Sequence, residues 1–169
     1  MKKAISLFLI LVLCLSLCAC GLLNSENKYV GSYTSNYTRK FIIENGAEFA
    51  VKELLVINAD GTGTLTYISE DTVSGTNNHV SPAHHYTIEK GDVLAELELE
   101  WGIVNEELVF NGTGKRYYTS EADYMTGSKN SQTICDFGGD VLDASTSGRY
   151  TLEDGQLYSG SRDCYTKVD

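Results

Sequence analysis

The chain has 169 residues, 42% of them apolar and 10% aromatic, with a formal net charge of −10. From Cys20 onward it keeps all 23 acidic residues and loses Lys2 and Lys3 from the 13 basic ones, a formal charge of −12 over a stretch long enough for one domain with a real core. That acidity excludes nucleic-acid binding, which needs a basic footprint, and argues against lying flat on anionic lipid; a solvated acidic surface accounts for it.

The N-terminus opens on Met1-Lys2-Lys3, continues as the apolar run Ala4 to Leu17, and ends in Cys18-Ala19-Cys20-Gly21. A basic start, an apolar stretch and a small residue at the cut site make a secretory signal, and the lysines hold the cytoplasmic side. Leu17, Ala19 and Gly21 around Cys20 resemble the lipobox of bacterial lipoproteins. Cys14 and Cys18 fit that pattern less well, because Leu13 and Leu17 stand where a small residue must enter the peptidase. The resemblance covers the first twenty-one residues. It implies cleavage before Cys20, a diacylglyceryl group on its sulfur, and residence on the extracytoplasmic face of the cell membrane. Each buried methylene is worth about 0.8 kcal/mol, so two acyl chains hold where one would exchange. The competing reading is an uncleaved transmembrane helix over Ala4 to Leu23, long enough to span a bilayer, but it gives Leu17-Cys18-Ala19-Cys20-Gly21 no role. Residues 1–19 are therefore read as a helical signal peptide, 20–28 as the lipidated cysteine with a short tether, and 29–169 as a β-rich domain.

Strand signals dominate that domain: Tyr, Thr, Val and Ile are abundant, Gly is frequent, and there is one proline, Pro82. Tyr29 to Tyr37 predicts a first strand. Ile43 to Glu53 predicts one short helix, capped by Asn45. Lys52 to Asn58 and Gly63 to Ser69 flank Ala59-Asp60-Gly61-Thr62, a hairpin signal in which both Asp and Gly are expected at positive φ. Asp71 to Ala83 and Ser120 to Ser131 are polar loops. Ala95, Leu97, Leu99 and Trp101 alternate with Glu96, Glu98 and Glu100, so a strand here turns one apolar face inward and three carboxylates to water. The pattern continues through Ile103-Val104, a turn near Asn105-Glu106, and Leu108-Val109-Phe110, with a second turn expected at Asn111-Gly112 before Lys115 to Thr119. Gly148 to Leu152, a turn at Glu153-Asp154-Gly155, Gln156 to Ser159 and Asp163 to Val168 close a meander.

Many short strands over one domain point to an all-β fold, a single antiparallel barrel or strongly curved sheet, since closure removes exposed edges. Gly31-Ser32-Tyr33, Asn58-Ala59-Asp60-Gly61-Thr62-Gly63-Thr64, Trp101 and the closing Tyr165-Thr166-Lys167-Val168 resemble the small lipocalin-like domains of bacterial lipoproteins. True lipocalins place Trp where Tyr33 stands. The resemblance implies a barrel with a ligand-binding interior.

Residues of chemical interest have structural explanations beside the functional ones. Cys135 and Cys164 remain after export, and a disulfide between them is expected, worth about 3–4 kcal/mol for a loop of roughly 30 residues; two buried thiols are the alternative. His79, His84 and His85 sit near one loop, but adjacent His84 and His85 on an extended chain point to opposite sides, so no metal site is assigned. Asn58, Asp60, Thr62 and Gly63 echo a calcium loop, yet strands flank them and Ser69 stands at the acidic twelfth place. Asp136, Asp140 and Asp143 around Gly138-Gly139 offer at most a weak cation site. Asp136-Phe137-Gly138 matches a kinase tripeptide by coincidence, since nothing else of a kinase is present. Glu96, Glu98 and Glu100 read as a solvent face, not as catalytic carboxylates. Eleven tyrosines suit either a core with satisfied hydroxyls or an aromatic-lined pocket. The expected function is non-catalytic and needs no cofactor: a membrane-anchored domain binding a small apolar or amphipathic ligand. The alternative is an envelope protein–protein or structural module without a cavity.

Overall fold

The computed structural model describes residues 28–120 and 132–168. The signal peptide, Cys20 and nearly all of the tether lie outside the described residues, as does most of the loop read at Ser120 to Ser131. Eleven strands follow in order: β1 (Gly31–Ser35), β2 (Arg39–Ile43), β3 (Glu48–Ile57), β4 (Thr62–Ser69), β5 (Val73–Asn77), β6 (His84–Ile88), β7 (Val93–Val104), β8 (Glu107–Ser120), β9 (Gln132–Glu153), β10 (Gln156–Ser159) and β11 (Arg162–Lys167).

Eight of these close on themselves. β1 pairs with β3, and the ladder runs on through β4, β7, β8, β9, β10 and β11 back to β1, antiparallel at every step. The chain is thus an all-β, closed antiparallel barrel of eight strands, with the up-and-down architecture of lipocalins. Alternation decides the wall. Leu97 and Leu99 are buried, whereas Glu96, Glu98 and Glu100 are exposed. Tyr29, Tyr33, Leu55, Ile57, Leu65, Leu108, Phe110, Leu157 and Tyr165 complete the main core.

One end of the barrel is sealed by an aromatic plug. Tyr29 is fully buried, donates from its hydroxyl to the Glu106 carbonyl at 2.6 Å, and accepts at its own carbonyl from the Tyr33 hydroxyl at 2.7 Å. Glu106 lies in the β7–β8 turn, where Asn105 and Glu106 take φ of 53° and 68°, the paired positive values of a tight hairpin. The other end is covered by additional strands. β2 runs antiparallel to β3 and parallel to β9, and the β5–β6 hairpin lies beside it. These elements enclose a second core of Phe41, Ile43, Phe49, Val51, Tyr86, Ile88, Leu94, Tyr118 and Ile134, and Tyr67 packs against both cores.

Four sequence expectations are corrected. Residues 43–53 form no helix; they are the end of β2, a turn and the start of β3, and Asn45 caps the turn by accepting from the Ala47 N–H at 3.0 Å. Asn111-Gly112 is not a turn, because β8 runs straight through it: a Cβ on Gly112 would collide with the Leu99 side chain and the Glu98 carbonyl. In the Asp60-Gly61 turn only Gly61 takes positive φ, at 85°, because the connection is longer than two residues and Asn58 N–H reaches the Thr62 carbonyl. Asp71 to Ala83 contains strand β5, held to β6 in a polar two-stranded ribbon.

Candidate functional site

A charged group breaks the apolar alternation of β3. Phe49, Val51, Leu55 and Ile57 point inward, and Glu53 occupies the inward place between them with 1% exposure. Its carboxylate accepts from Arg39 Nε at 2.6 Å, from the Tyr165 hydroxyl at 2.6 Å and from the Tyr37 hydroxyl at 3.3 Å. Both oxygens are used, as a buried carboxylate requires. Burial alone would lower the Arg39 guanidinium, but the Glu53 charge and hydrogen bond hold it above its ordinary value. Burial and then the same charge push the Tyr165, Tyr67 and Tyr37 hydroxyls up.

The pairing register carries this network around the wall. Glu53 pairs with Tyr67, Tyr67 with Ala95, Ala95 with Arg116, and Arg116 with Leu142. Cross-strand neighbours on one face touch, so these residues form one row across five strands. Ala95 is the smallest member of the row, and space opens there. A cavity of about 350 Å³ is lined by Arg39, Tyr67, Ala95, Leu97, Arg116 and Tyr118, with the β9 stretch Asp143 to Thr146. Each guanidinium lies over a ring, Arg39 over Tyr67 at 5.1 Å and Arg116 over Tyr118 at 5.6 Å. Beside Arg116 the β8–β9 ladder is irregular. Arg116 pairs with Leu142 and Tyr118 with Phe137, so β8 sets one residue, Tyr117, against the exposed residues 138–141 of β9. The wall is therefore bulged next to the cavity.

Two larger concavities, of about 820 and 640 Å³, lie on the outer wall and share Thr64, Glu98 and Thr113. Their lining includes Glu96, Glu98, Glu100 and Lys115 on outward positions, so they are grooves open to water.

The residues singled out from sequence fall elsewhere. Cys135 and Cys164 are both buried, but no disulfide joins them. Cys164 belongs to the main core, and Cys135 follows Ile134 of the second. His84 Nδ1 lies 2.7 Å from Asp136 Oδ1, His85 Nδ1 2.9 Å from Thr76 Oγ1, and His79 Nε2 3.6 Å from Glu44 Oε1. Among the described residues, no three His, Cys, Asp or Glu side chains group as metal ligands. Asp60 is spent on its own turn, accepting from the Thr62 N–H and hydroxyl, and these bonds hold its carboxyl below the usual range. Asp143 pairs with Lys115 at 2.5 Å on the outer face. Glu96, Glu98 and Glu100 line the outer grooves. Of the tyrosines, Tyr67 and Tyr118 reach the cavity, and Tyr37 and Tyr165 hold Glu53.

Arg39, Glu53 and Arg116 carry the site, and none stands out from composition or motif. The signal that reveals Glu53 and Arg116 is parity: each is a charge at an inward position of an alternating strand. Set against protein-family models, curated proteins and solved structures, the chain has no match in any of the three.

Proposed function

We propose that this chain is a lipid-anchored, extracytoplasmic binding protein whose barrel takes up a small amphipathic molecule without transforming it. The observation that carries the reading is the cavity beside Ala95, open to solvent along the β9 stretch Asp143 to Thr146, in which Ala95, Leu97 and Ala144 supply apolar wall and Tyr67, Tyr118, Arg39, Arg116, Ser145 and Thr146 supply polar groups. Ligand sites combine apolar wall with placed polar groups, and about 350 Å³ sits at the small end of their usual range of roughly 300–1,000 Å³. Native mass spectrometry of the chain lacking Met1 to Cys20 tests it: a reproducible small-molecule adduct supports binding, and a bare chain that takes up no amphiphile rejects it. The anchor rests on the lipobox residues Leu17, Ala19, Cys20 and Gly21. Cys20→Ala is expected to abolish lipidation and membrane retention; unchanged retention with Met1 intact would favour a transmembrane helix instead.

A second reading, an envelope protein contact, draws on the outer grooves between β4, β7 and β8. Their Thr64, Glu98 and Thr113 lining offers hydroxyls and carboxylates to a polar partner. Crosslinking from Thr113 that captures one defined envelope protein, together with no uptake of small amphiphiles, would favour this reading over the first.

A further inference from the structure

We propose that the β9 edge from Leu142 to Tyr150 is a dimerisation site that takes a second copy of this chain as an antiparallel partner strand, with Asp143 of each copy opposite Arg149 of the other. The ring of strands leaves that edge uncovered. β9 runs for 22 residues, and β8 lies along one side of it from Ile134 to Tyr150. The opposite side has two short partners among the described strands, β2 at Gln132 to Ile134 and β10 at Thr151 to Glu153. Between them no described strand pairs with β9 on that side.

The burial of the wall carries the same mark. On β7 and β8 the inward side chains Leu97, Leu99, Leu108 and Phe110 are buried. On β9 the inward positions Leu142, Ala144, Thr146, Gly148 and Tyr150 are only half-buried, because no further strand stands beside them. A row of unpaired N–H and C=O groups is a template for another strand, and natural edges are blunted by lysine, proline, bulges or short length. Leu142 to Tyr150 has none of these: it contains no lysine or proline, and its register with β8 is unbroken.

The sequence of this edge fits its own reverse. An antiparallel pairing centred on Thr146 sets Leu142 opposite Tyr150, Asp143 opposite Arg149, Ala144 opposite Gly148 and Ser145 opposite Ser147. Apolar meets apolar on the inward face, and each charge meets its opposite on the outward face, the cross-strand complementarity that stabilises a sheet. Moving the centre to Ser145 puts Asp143 opposite Ser147 and Arg149 opposite Val141; moving it to Ser147 puts Asp143 opposite Thr151 and Arg149 opposite Ser145. Of the three centres, Thr146 alone pairs the charges. The Asp143 side chain is 92% exposed and that of Arg149 54%, so both reach across the seam while keeping Lys115 and Glu107 as neighbours within the chain. The two-fold axis makes the charge pair twice and closes the assembly at two copies, because each edge is used up by its partner.

The test measures the mass of the full chain in detergent micelles, under reductant, by sedimentation velocity across a concentration series. Two copies per particle are expected. Asp143→Arg and Arg149→Asp are each expected to weaken dimerisation at least tenfold by setting like charges opposite each other, and both together in one chain are expected to restore it to within threefold. A monomer throughout the series, a larger open assembly, a dimer that neither single change weakens, or a double variant as weak as the singles would overturn the proposal. If a variant does not fold, as judged by circular dichroism, hydrogen exchange on the unaltered chain decides. Amides from Leu142 to Tyr150 are expected to gain protection across the monomer-to-dimer range, and protection there that does not change with concentration would overturn the proposal.

Discussion

Glu53→Gln tests the network that supports the cavity. The substitution keeps the side-chain shape and removes the charge, so what is lost is electrostatic. Three donors converge on the carboxylate, at 2.6, 2.6 and 3.3 Å. An amide offers one acceptor oxygen and presents an NH₂ where the second oxygen stood, so either Arg39 or Tyr165 then faces another donor. Tyr165 is 3% exposed and has no water to turn to. Breaking one side of a buried ion pair costs about 3–5 kcal/mol, and a hydrogen bond to a charged group contributes about 1.5–3 kcal/mol. Arg39 is 37% exposed, so it regains part of its hydration, and the low end applies. The expected loss is about 3 kcal/mol of a total near 5–15 kcal/mol, which in a domain of this size lowers Tm by roughly 6–12 °C. Urea unfolding followed by far-ultraviolet circular dichroism and by the fluorescence of Trp101, the only tryptophan, measures it. Combining Glu53→Gln with Tyr165→Phe should give a coupling of about 0.5–3 kcal/mol. A loss below about 1 kcal/mol for Glu53→Gln, with strictly additive effects in the double variant, would refute the network as a stabilising unit.

Other outcomes follow from the same geometry. Leu99→Ala removes a fully inward side chain and should cost roughly 2–5 kcal/mol, whereas Glu98→Gln on the wet face should stay within about 0.5 kcal/mol; similar losses in equilibrium unfolding would mean the strand faces are misassigned. Burial raises Tyr33 from 10.0 to about 12, helped by Tyr29, and burial with the Cys164 thiol raises Tyr150 to about 12. An unfolded tyrosine releases its proton near pH 10 while these two hold theirs, so stability is full below that pH and falls between about 10 and 12. A fully buried group such as Tyr33 contributes a loss of about 1.4 kcal/mol per pH unit in that window. Tyrosinate absorbance should rise in a step that coincides with alkaline unfolding, and a smooth titration before unfolding would contradict the burial.

The barrel was legible where one face is apolar without interruption. Ala95 to Trp101 alternates cleanly, and β7 contains it entire. The turns at Asn105-Glu106 and Asp154-Gly155 separate apolar runs and were found in place. Legibility failed where function or close packing breaks the pattern. Glu53 sits on the inward face of β3 and disguises the run from Phe49 to Ile57, so a helix period could be fitted to Ile43 to Glu53 instead. Gly112 reads as a turn residue beside Asn111, although its real task is to let β8 pass over Leu99. The β5–β6 ribbon has only Tyr86 and Ile88 as large buried apolar residues, too few to show a period among exposed polar neighbours. The cavity was illegible for a different reason. Arg39, Tyr67, Ala95 and Arg116 come from four strands, and only the pairing register brings them together. Reading inward parity for charges, not only for apolar residues, would have singled out Glu53 and Arg116.

Ala95 is where binding and stability pull in opposite directions. It is 2% exposed and sits between Tyr67 and Arg116 in the row, where a larger side chain would occupy the cavity. A fold selected for packing alone would fill that position. Ala95→Leu adds three carbons to a space of about 350 Å³ without meeting a closed wall. At about 0.8 kcal/mol per buried methylene, less the rotamer entropy of an ordered leucine of about 0.5–1 kcal/mol, the gain should be about 1–2 kcal/mol in urea unfolding. The same variant should take up octanoate at least tenfold more weakly, because the tail now competes with the leucine. Gain of stability with loss of uptake is the signature of a cavity kept open for use. Destabilisation by about 1–3 kcal/mol would instead mean that the site is already packed and the leucine overfills it, and the ligand reading would lose the space on which it depends.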